Sequence, residues 1–338
     1  MDSSSFSVED FFPRTFLARI TDLRLDEPAS IRRHAQQRQR RRQLALDGKL
    51  VILAADHPAR MVTGALGDDL ALADRHAYLG RVLRVVTSDF VDGLMGTPDI
   101  IDEVLAVDLL LERRGGRSFL DGKLLIGCMN RGGLLGTAFE MRDYFTAFDV
   151  PGIVALNLDG AKMMLRLEAN EEASGQTLYW CSQAINACLE HDLTVFVEAL
   201  MVARKAGRYE VQSDVGSMAR VCSVAAALGR SSLNTWLKLP YCAGYERVAL
   251  STTLPILMLG GQAVEDAQPL LENLHAGMRA GGNVRGALIG RNVLFPGGKD
   301  PRAMAAAVHA IVHRNFTPTA AQEVGESQHP EGLNLLRS

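Results

Sequence analysis

Eight short runs rich in Val, Ile and Leu recur along the middle of the chain, and nothing else in the sequence restricts its fold as much. They are LVILAAD (50–56), FVDGLMG (90–96), KLLIGCM (123–129), GIVALNLDGAKM (152–163), TVFVEALM (194–201), NTWLKLP (234–240), PILMLGG (255–261) and VRGALIG (284–290). Each is short enough for a strand. Helix-period segments such as LADRHAYLGRVLRVV, TLYWCSQAINACLEHD and VGSMARVCSVAAALG lie between most of them. Strands alternating with helices imply a parallel sheet, because a parallel neighbour is reached only by a crossover. At 338 residues, closing eight strands into a single (β/α)8 barrel is the economical α/β solution. The competing doubly wound sheet calls for a G-x-G-x-x-G after the first strand, which is missing here. The predicted organisation is a helical extension over 1–49, a barrel over 50–316 and a mobile polar tail over 317–338. The basic run IRRHAQQRQRRRQ (31–43) is expected to be a solvated helix face or a subunit contact.

Composition narrows the function classes. A net charge of −3 leaves no footprint for nucleic acid or anionic lipid. No stretch approaches the roughly 20 apolar residues of a membrane span. The first residues, MDSSSFSVEDFF, lack the basic-then-apolar order of a secretory leader, so a cytoplasmic location is expected. Five cysteines without C-x-x-C spacing suggest neither a disulfide framework nor a zinc knuckle, and Cys181 and Cys188 read as small core residues. No G-x-x-x-x-G-K-[ST] loop is present.

Active sites of such barrels lie at the C-terminal ends of the strands, and polar residues gather there: Asp56-His57, Asn130-Arg131, Asp159 and Lys162, Glu198, Lys238, Gly260-Gly261 and Gly290-Arg291-Asn292. Lys238 sits inside an otherwise apolar strand. A buried ammonium is unfavourable, so such a lysine has a lowered pKa or a dedicated partner, and a neutral lysine attacks carbonyls. By strand alternation Trp236, Lys238 and Pro240 share one face, and Phe196, Glu198 and Leu200 share another. If both faces point inward, Glu198 adjoins Lys238, and Lys162 reaches Glu198 from its other side. A carboxylate between two lysines can carry protons for a carbinolamine. A structural Lys–Glu–Lys ion network is the alternative reading of the same three residues. Gly260-Gly261 and Gly290-Arg291 suit a phosphate site built from backbone N–H groups and a guanidinium, or simply tight turns. Arg131-Gly132-Gly133 is a weaker candidate for a second anion. Of eight histidines only His57 stands at a strand end, which favours a metal-free mechanism over zinc.

The segments DGAKMML, VFVEALM, WLKLP, MLGGQ and ALIGRNV, in this order, resemble the class I aldolase barrels: tagatose-bisphosphate, sulfofructose-phosphate, deoxyribose-phosphate and archaeal-type fructose-bisphosphate aldolases. The resemblance spans roughly 50 to 296 and is stronger toward the first two. NRGGLLGTAFEM and DGAKMMLRL resemble a bacterial branch of aldolase-like barrels. The resemblance implies Lys238 as Schiff-base nucleophile, Glu198 as proton shuttle, Lys162 as its assistant, and Asp56 as the group that orients a substrate hydroxyl or helps proton transfer. It implies phosphate contacts at Gly260, Gly261, Gly290 and Arg291. For His57 and for the Tyr241-Cys242-Ala243-Gly244 continuation, relatives differ. The implied activity is cofactor-independent cleavage of a phosphorylated ketose or keto acid, releasing dihydroxyacetone phosphate. A deoxy-keto-gluconate phosphate of inositol breakdown, a hexulose bisphosphate and a sulfonated sugar phosphate all fit two anion sites. Transaldolase-like or thiolase-like transfer, and sugar-phosphate binding without turnover, are the rivals. A homo-oligomer is expected.

Overall fold

The structure, a computed structural model, describes residues 6–131 and 133–328. Three N-terminal helices, α1 (Val8–Phe11), α2 (Arg14–Asp26) and α3 (Pro28–Gln37), precede the repeating part. Then follow β1 (Leu50–Ala55), α4 (Arg75–Val86), β2 (Gly93–Gly96), α5 (Pro98–Glu112), β3 (Leu124–Cys128), α6 (Val150–Ala155), β4 (Gly160–Leu167) and α7 (Glu172–Leu189). The second half holds β5 (Thr194–Lys205), β6 (Arg208–Val211), α8 (Val215–Ala226), β7 (Thr235–Pro240), α9 (Tyr245–Ala249), β8 (Ile256–Leu259), α10 (Gln268–Met278) and β9 (Val284–Ile289). Three more helices close the described chain: α11 (Arg291–Leu294), α12 (Pro301–Arg314) and α13 (Pro318–Glu326).

Eight of the strands pair in parallel in the order β1-β2-β3-β4-β5-β7-β8-β9, and β9 returns to β1. The sheet is therefore a closed (β/α)8 barrel. Strand β6 stands outside it as the antiparallel arm of a hairpin on the extended β5, turned through Ala206 and Gly207. Alternation along each strand separates two cores. In β1, Leu50, Ile52 and Ala54 face the lumen with Ile126, Phe196, Leu257 and Leu288, while Val51, Leu53 and Ala55 face the surrounding helices. The lumen is thus lined by apolar side chains.

Three sequence expectations need correction. The fourth run is not one strand. Asp149 caps α6 by accepting from Gly152 N, Pro151 fixes its first turn, and Asn157 in a left-handed conformation ends it, so β4 begins only at Gly160. Asp159 therefore lies at the N-terminal end of β4, remote from the catalytic end of the strands. The basic run is only in part a solvated face: Arg32, Arg33 and Arg42 are exposed, whereas Arg38 and Arg41 are drawn inward. It crosses the N-terminal end of the barrel, where Arg38 and Arg40 pair with Asp159 at 2.8 and 2.7 Å and Arg41 pairs with Asp92 at 2.9 Å. Each of those aspartates also accepts a backbone N–H from the neighbouring strand, Val51 N at Asp92 and Leu125 N at Asp159. The expected mobile tail includes α13, capped by Thr317 and packed on α12 through buried Ala321 and Gly325; 329–338 lie outside the described residues. No helix among the described residues is long and apolar enough to cross a membrane.

Candidate active site

Asp56 follows β1 in phase with Leu50, Ile52 and Ala54 and so points inward, as do Lys162 on β4, Glu198 on β5 and Lys238 on β7. The register sets Glu198 directly beside Lys238 on the adjoining strand. The four side chains form one line of charge. Lys162 Nζ donates to Asp56 Oδ2 at 2.9 Å and lies 2.7 Å from Glu198 Oε2, and Lys238 Nζ donates to the same Glu198 oxygen at 2.9 Å. All four are buried above the apolar lumen. The sequence-based neighbour relations among Lys162, Glu198 and Lys238 hold, and Asp56 joins them.

Sharing one carboxylate makes the two lysines unequal. Burial lowers the pKa of any lysine, but Lys162 is clamped between Asp56 and Glu198, which outweigh burial and raise its pKa above the ordinary value. Lys238 has only Glu198, with the Lys162 charge alongside. Burial prevails there, and its pKa falls below 10.5. Burial likewise pushes Glu198 and Asp56 upward, yet the ammonium groups hold both carboxylates well below their usual range. The pattern is one fixed ammonium, two ionised carboxylates and one amine that gives up its proton more easily. That is the arrangement a Schiff-base nucleophile needs.

The remaining candidates occupy the rim. His57 lies beside Asp56 with Nδ1 3.9 Å from Asp56 Oδ1, and neither atom has a hydrogen-bond partner. Burial, aided by Arg291 and Arg60, pushes its pKa to about 3 against the pull of Asp56. Gly290 is required by packing: a Cβ there would fall 2.3 Å from Ala54 O and 2.5 Å from His57 Cε1. Gly260 similarly leaves room for Asn292, which donates to Gln262 O and holds the loop after β8. Gly261, with φ of 80° and open space where a Cβ would point, leaves backbone exposed to an incoming ligand. Arg291 is half-buried with its Nε unpaired, and burial together with Arg60 lowers its pKa. Arg131 is engaged elsewhere, donating to Thr146 Oγ1 at 3.2 and 3.0 Å across its own loop. Its neighbour Gly132 lies outside the described residues.

Sequence reasoning missed three features. Arg60, in the single turn Pro58–Arg60 after His57, bears an unpaired buried Nε and adds positive charge next to Asp56 and Glu198. The run His57-Pro58-Ala59-Arg60, immediately beyond a strand end, was the available signal. Tyr78 on α4 is fully buried with an unpartnered hydroxyl, and no periodicity marks it. Arg166 on β4 pins the long loop after β3 by pairing with Glu140 at 3.2 Å and Asp143 at 2.6 Å. Asn130 turns out to extend the sheet: its Oδ1 accepts from Met164 N at 2.6 Å and its Nδ2 donates to Met164 O at 2.8 Å.

Comparison with known proteins agrees with the fold. The Cgl0159-like family model matches residues 48–312. The crystal structure of Cgl0159 from Corynebacterium glutamicum is 34% identical, with a TM-score of 0.82 over 90% of this chain and 98% of that one. An archaeal fructose-1,6-bisphosphate aldolase, solved with its catalytic lysine covalently bound to the carbinolamine intermediate, superposes with a TM-score of 0.56 at 19% identity, over 84% of this chain and 99% of that one. At that identity the likeness is one of fold. A 3-hydroxy-5-phosphonooxypentane-2,4-dione thiolase from Salmonella typhimurium is 33% identical over 101 residues, 30% of this chain and 32% of that protein. The chain thus matches about a third of that relative's length.

Proposed function

The chain belongs to the Cgl0159-like family, and from that premise we propose that it is a class I aldolase acting on a phosphorylated ketose or keto acid, with Lys238 as the Schiff-base nucleophile. The observation that carries the reading is the shared Glu198 oxygen, which leaves Lys238 the more easily deprotonated of two buried lysines. The Lys238 amine attacks the substrate carbonyl. Glu198, 2.9 Å from Nζ, receives a proton from the attacking amine and delivers one to the departing hydroxyl, leaving an iminium. The iminium takes up the electron pair of the breaking carbon–carbon bond as an enamine. Protonation and hydrolysis then free the product, dihydroxyacetone phosphate in this reading, and regenerate the amine. Lys162 stays charged and keeps Asp56 and Glu198 in place. Gly260, Gly261, Gly290, Arg291 and His57 line the substrate side, with Arg291 as the charged contact for phosphate. A deoxy-keto-gluconate phosphate is the substrate we place first in the panel to be tested.

The test is borohydride reduction in the presence of dihydroxyacetone phosphate and a panel of phosphorylated ketoses and keto acids. The native chain is expected to gain the mass of a reduced adduct, and Lys238→Met to gain none. A binder without turnover would take up the same ligands and leave no covalent mark. One second reading has an observation behind it. The relatives named as thiolases favour acyl transfer, and offering a phosphorylated 2,4-dione together with a thiol separates the two: thiolysis of the dione releases a thioester, whereas an aldolase confined to hydroxyketones forms none.

A further inference from the structure

Two arginines stand side by side at the catalytic end of the barrel without a counter-ion. Arg60 belongs to the single turn after β1, and Arg291 follows Gly290 at the end of β9. The two strands are hydrogen-bonded neighbours, with Leu53 opposite Ile289, and Gly290 packs directly on Ala54 and His57. The turns that carry the arginines are therefore adjacent. Arg60 is fixed by its backbone on both sides. Its N–H donates to His57 O at 3.0 Å, and its carbonyl accepts from Leu135 N at 3.1 Å, on the loop that Arg166 pins. Both arginines are half-buried, and both Nε atoms are buried without a partner. The nearby carboxylates are already engaged, Asp56 and Glu198 with the two lysines, Glu140 and Asp143 with Arg166. Among the described residues neither guanidinium makes an ion pair. Burial, and after it the Arg60 charge, lowers the pKa of Arg291, as two like charges facing one cleft require. Such a pair is unfavourable until an anion completes it.

We propose that Arg60 and Arg291 form one clamp for a dianionic phosphoryl group of the substrate, and that Arg60 makes the site prefer a dianion to a monoanionic or neutral end. The choice of a substrate phosphate rests on the aldolase reading above; the anion site itself does not. One guanidinium balances a single negative charge, as on a carboxylate. A second one on the neighbouring turn matches the two charges of a phosphate, and each planar fork can pair with two of its oxygens. The clamp sits on β1 and β9 while the amine sits on β7, so phosphate binding energy is available to orient the carbonyl toward Lys238.

Titration of inorganic phosphate into the full chain, at constant ionic strength, reads the clamp without any imine. Arg60→Met is expected to weaken phosphate binding by about 10–100-fold, the worth of one charge-assisted contact. Arg60→Lys, which keeps the charge and loses the fork, is expected to recover part of that loss. Arg142→Met, which removes an exposed charge from the loop after β3, should bind phosphate like the native chain. Exchange of the α-hydrogen in D2O then relates the clamp to substrate. Arg60→Met should lower kcat/KM for dihydroxyacetone phosphate by a similar factor and leave unphosphorylated dihydroxyacetone little changed, which also shows that the variant is folded. Equal phosphate binding by native and Arg60→Met protein would overturn the proposal, as would a native chain that binds no phosphate. An equal loss with both donors would overturn it too, since Arg60 would then act on the lysines and not on phosphate. Phosphate binding that depends on Arg60, in a protein that forms no adduct with any donor, would sustain the clamp and sink the aldolase reading alone.

Discussion

Both ends of the barrel bury a row of opposite charges, but they use different cations. At the N-terminal end Arg38 and Arg40 converge on Asp159, Arg41 pairs with Asp92, and His313 bridges Asp92 and Asp47 at 3.1 and 2.8 Å. At the C-terminal end Asp56, Lys162, Glu198 and Lys238 alternate. A guanidinium stays charged at any pH a protein meets and cannot act as a nucleophile. An ammonium yields its proton when burial and a neighbouring charge press on it. Each of the three plug arginines has a carboxylate within reach, and together they hold the extension across the barrel. The lysine end has two cations on one carboxylate oxygen, which holds it together while leaving one amine poised. The same ion-pair physics gives a plug at one end and a reactive site at the other.

Removing the shared carboxylate should break this contrast most sharply. Glu198→Gln is expected to lower turnover by about 10²–10⁴-fold, the range for losing a positioned proton carrier. Lys238 would keep its neighbour's positive charge and lose its counter-ion, so borohydride trapping should persist and shift its pH dependence downward. Steady-state rates and trapping against pH check both halves. An upward shift would show that Glu198 does not set the ionisation of Lys238.

The opposite substitution sharpens the plug. Arg38→Met leaves the buried Asp159 with only the half-exposed Arg40, and breaking one side of a buried pair typically costs about 3–5 kcal/mol. Urea unfolding should show that loss, and turnover per folded molecule should stay near native. A large fall in kcat with unchanged stability would mean that the two ends are coupled.

The smallest effect is a pH signature of stability at the plug. Burial would raise Asp92, but His313, Val51 N and Arg41 hold it at about 2, below its unfolded value. Its contribution is therefore complete above the unfolded value of about 3.9 and disappears as pH falls toward 2, at most about 2–3 kcal/mol. Burial would lower His313, but Asp92 and Asp47 raise it above 6.5. Its contribution is complete below the unfolded value and is lost as pH rises through the folded one. His313→Gln should remove the alkaline part of the melting profile and also shrink the acid part, because His313 is the first of the groups that hold Asp92 down. An unchanged acid part would misassign the pair.

The two ends were not equally legible in the sequence. The barrel and the Lys162, Glu198, Lys238 neighbourhood follow from strand alternation, because an inward-pointing charge in an apolar strand can lie only in the lumen. The plug did not follow. Arg38 and Arg41 sit in an irregular segment after α3, and their partners Asp92 and Asp159 lie just before strands; no local pattern ties together residues so far apart in the chain. Asp159 was misread because a short capped helix and a strand ran together as one apolar stretch. Thr317-Pro318, a cap and first-turn pair, was hidden by the polar composition around it. Tyr78 and Arg60 reach the site from a helix and a turn, where no strand phase fixes direction.

Peptide mapping of the borohydride-reduced adduct with dihydroxyacetone phosphate, near neutral pH, tests the central claim most directly. The unequal sharing of Glu198 predicts the reduced adduct on Lys238 and none on Lys162. An adduct on Lys162, the lysine clamped by two carboxylates, would contradict it.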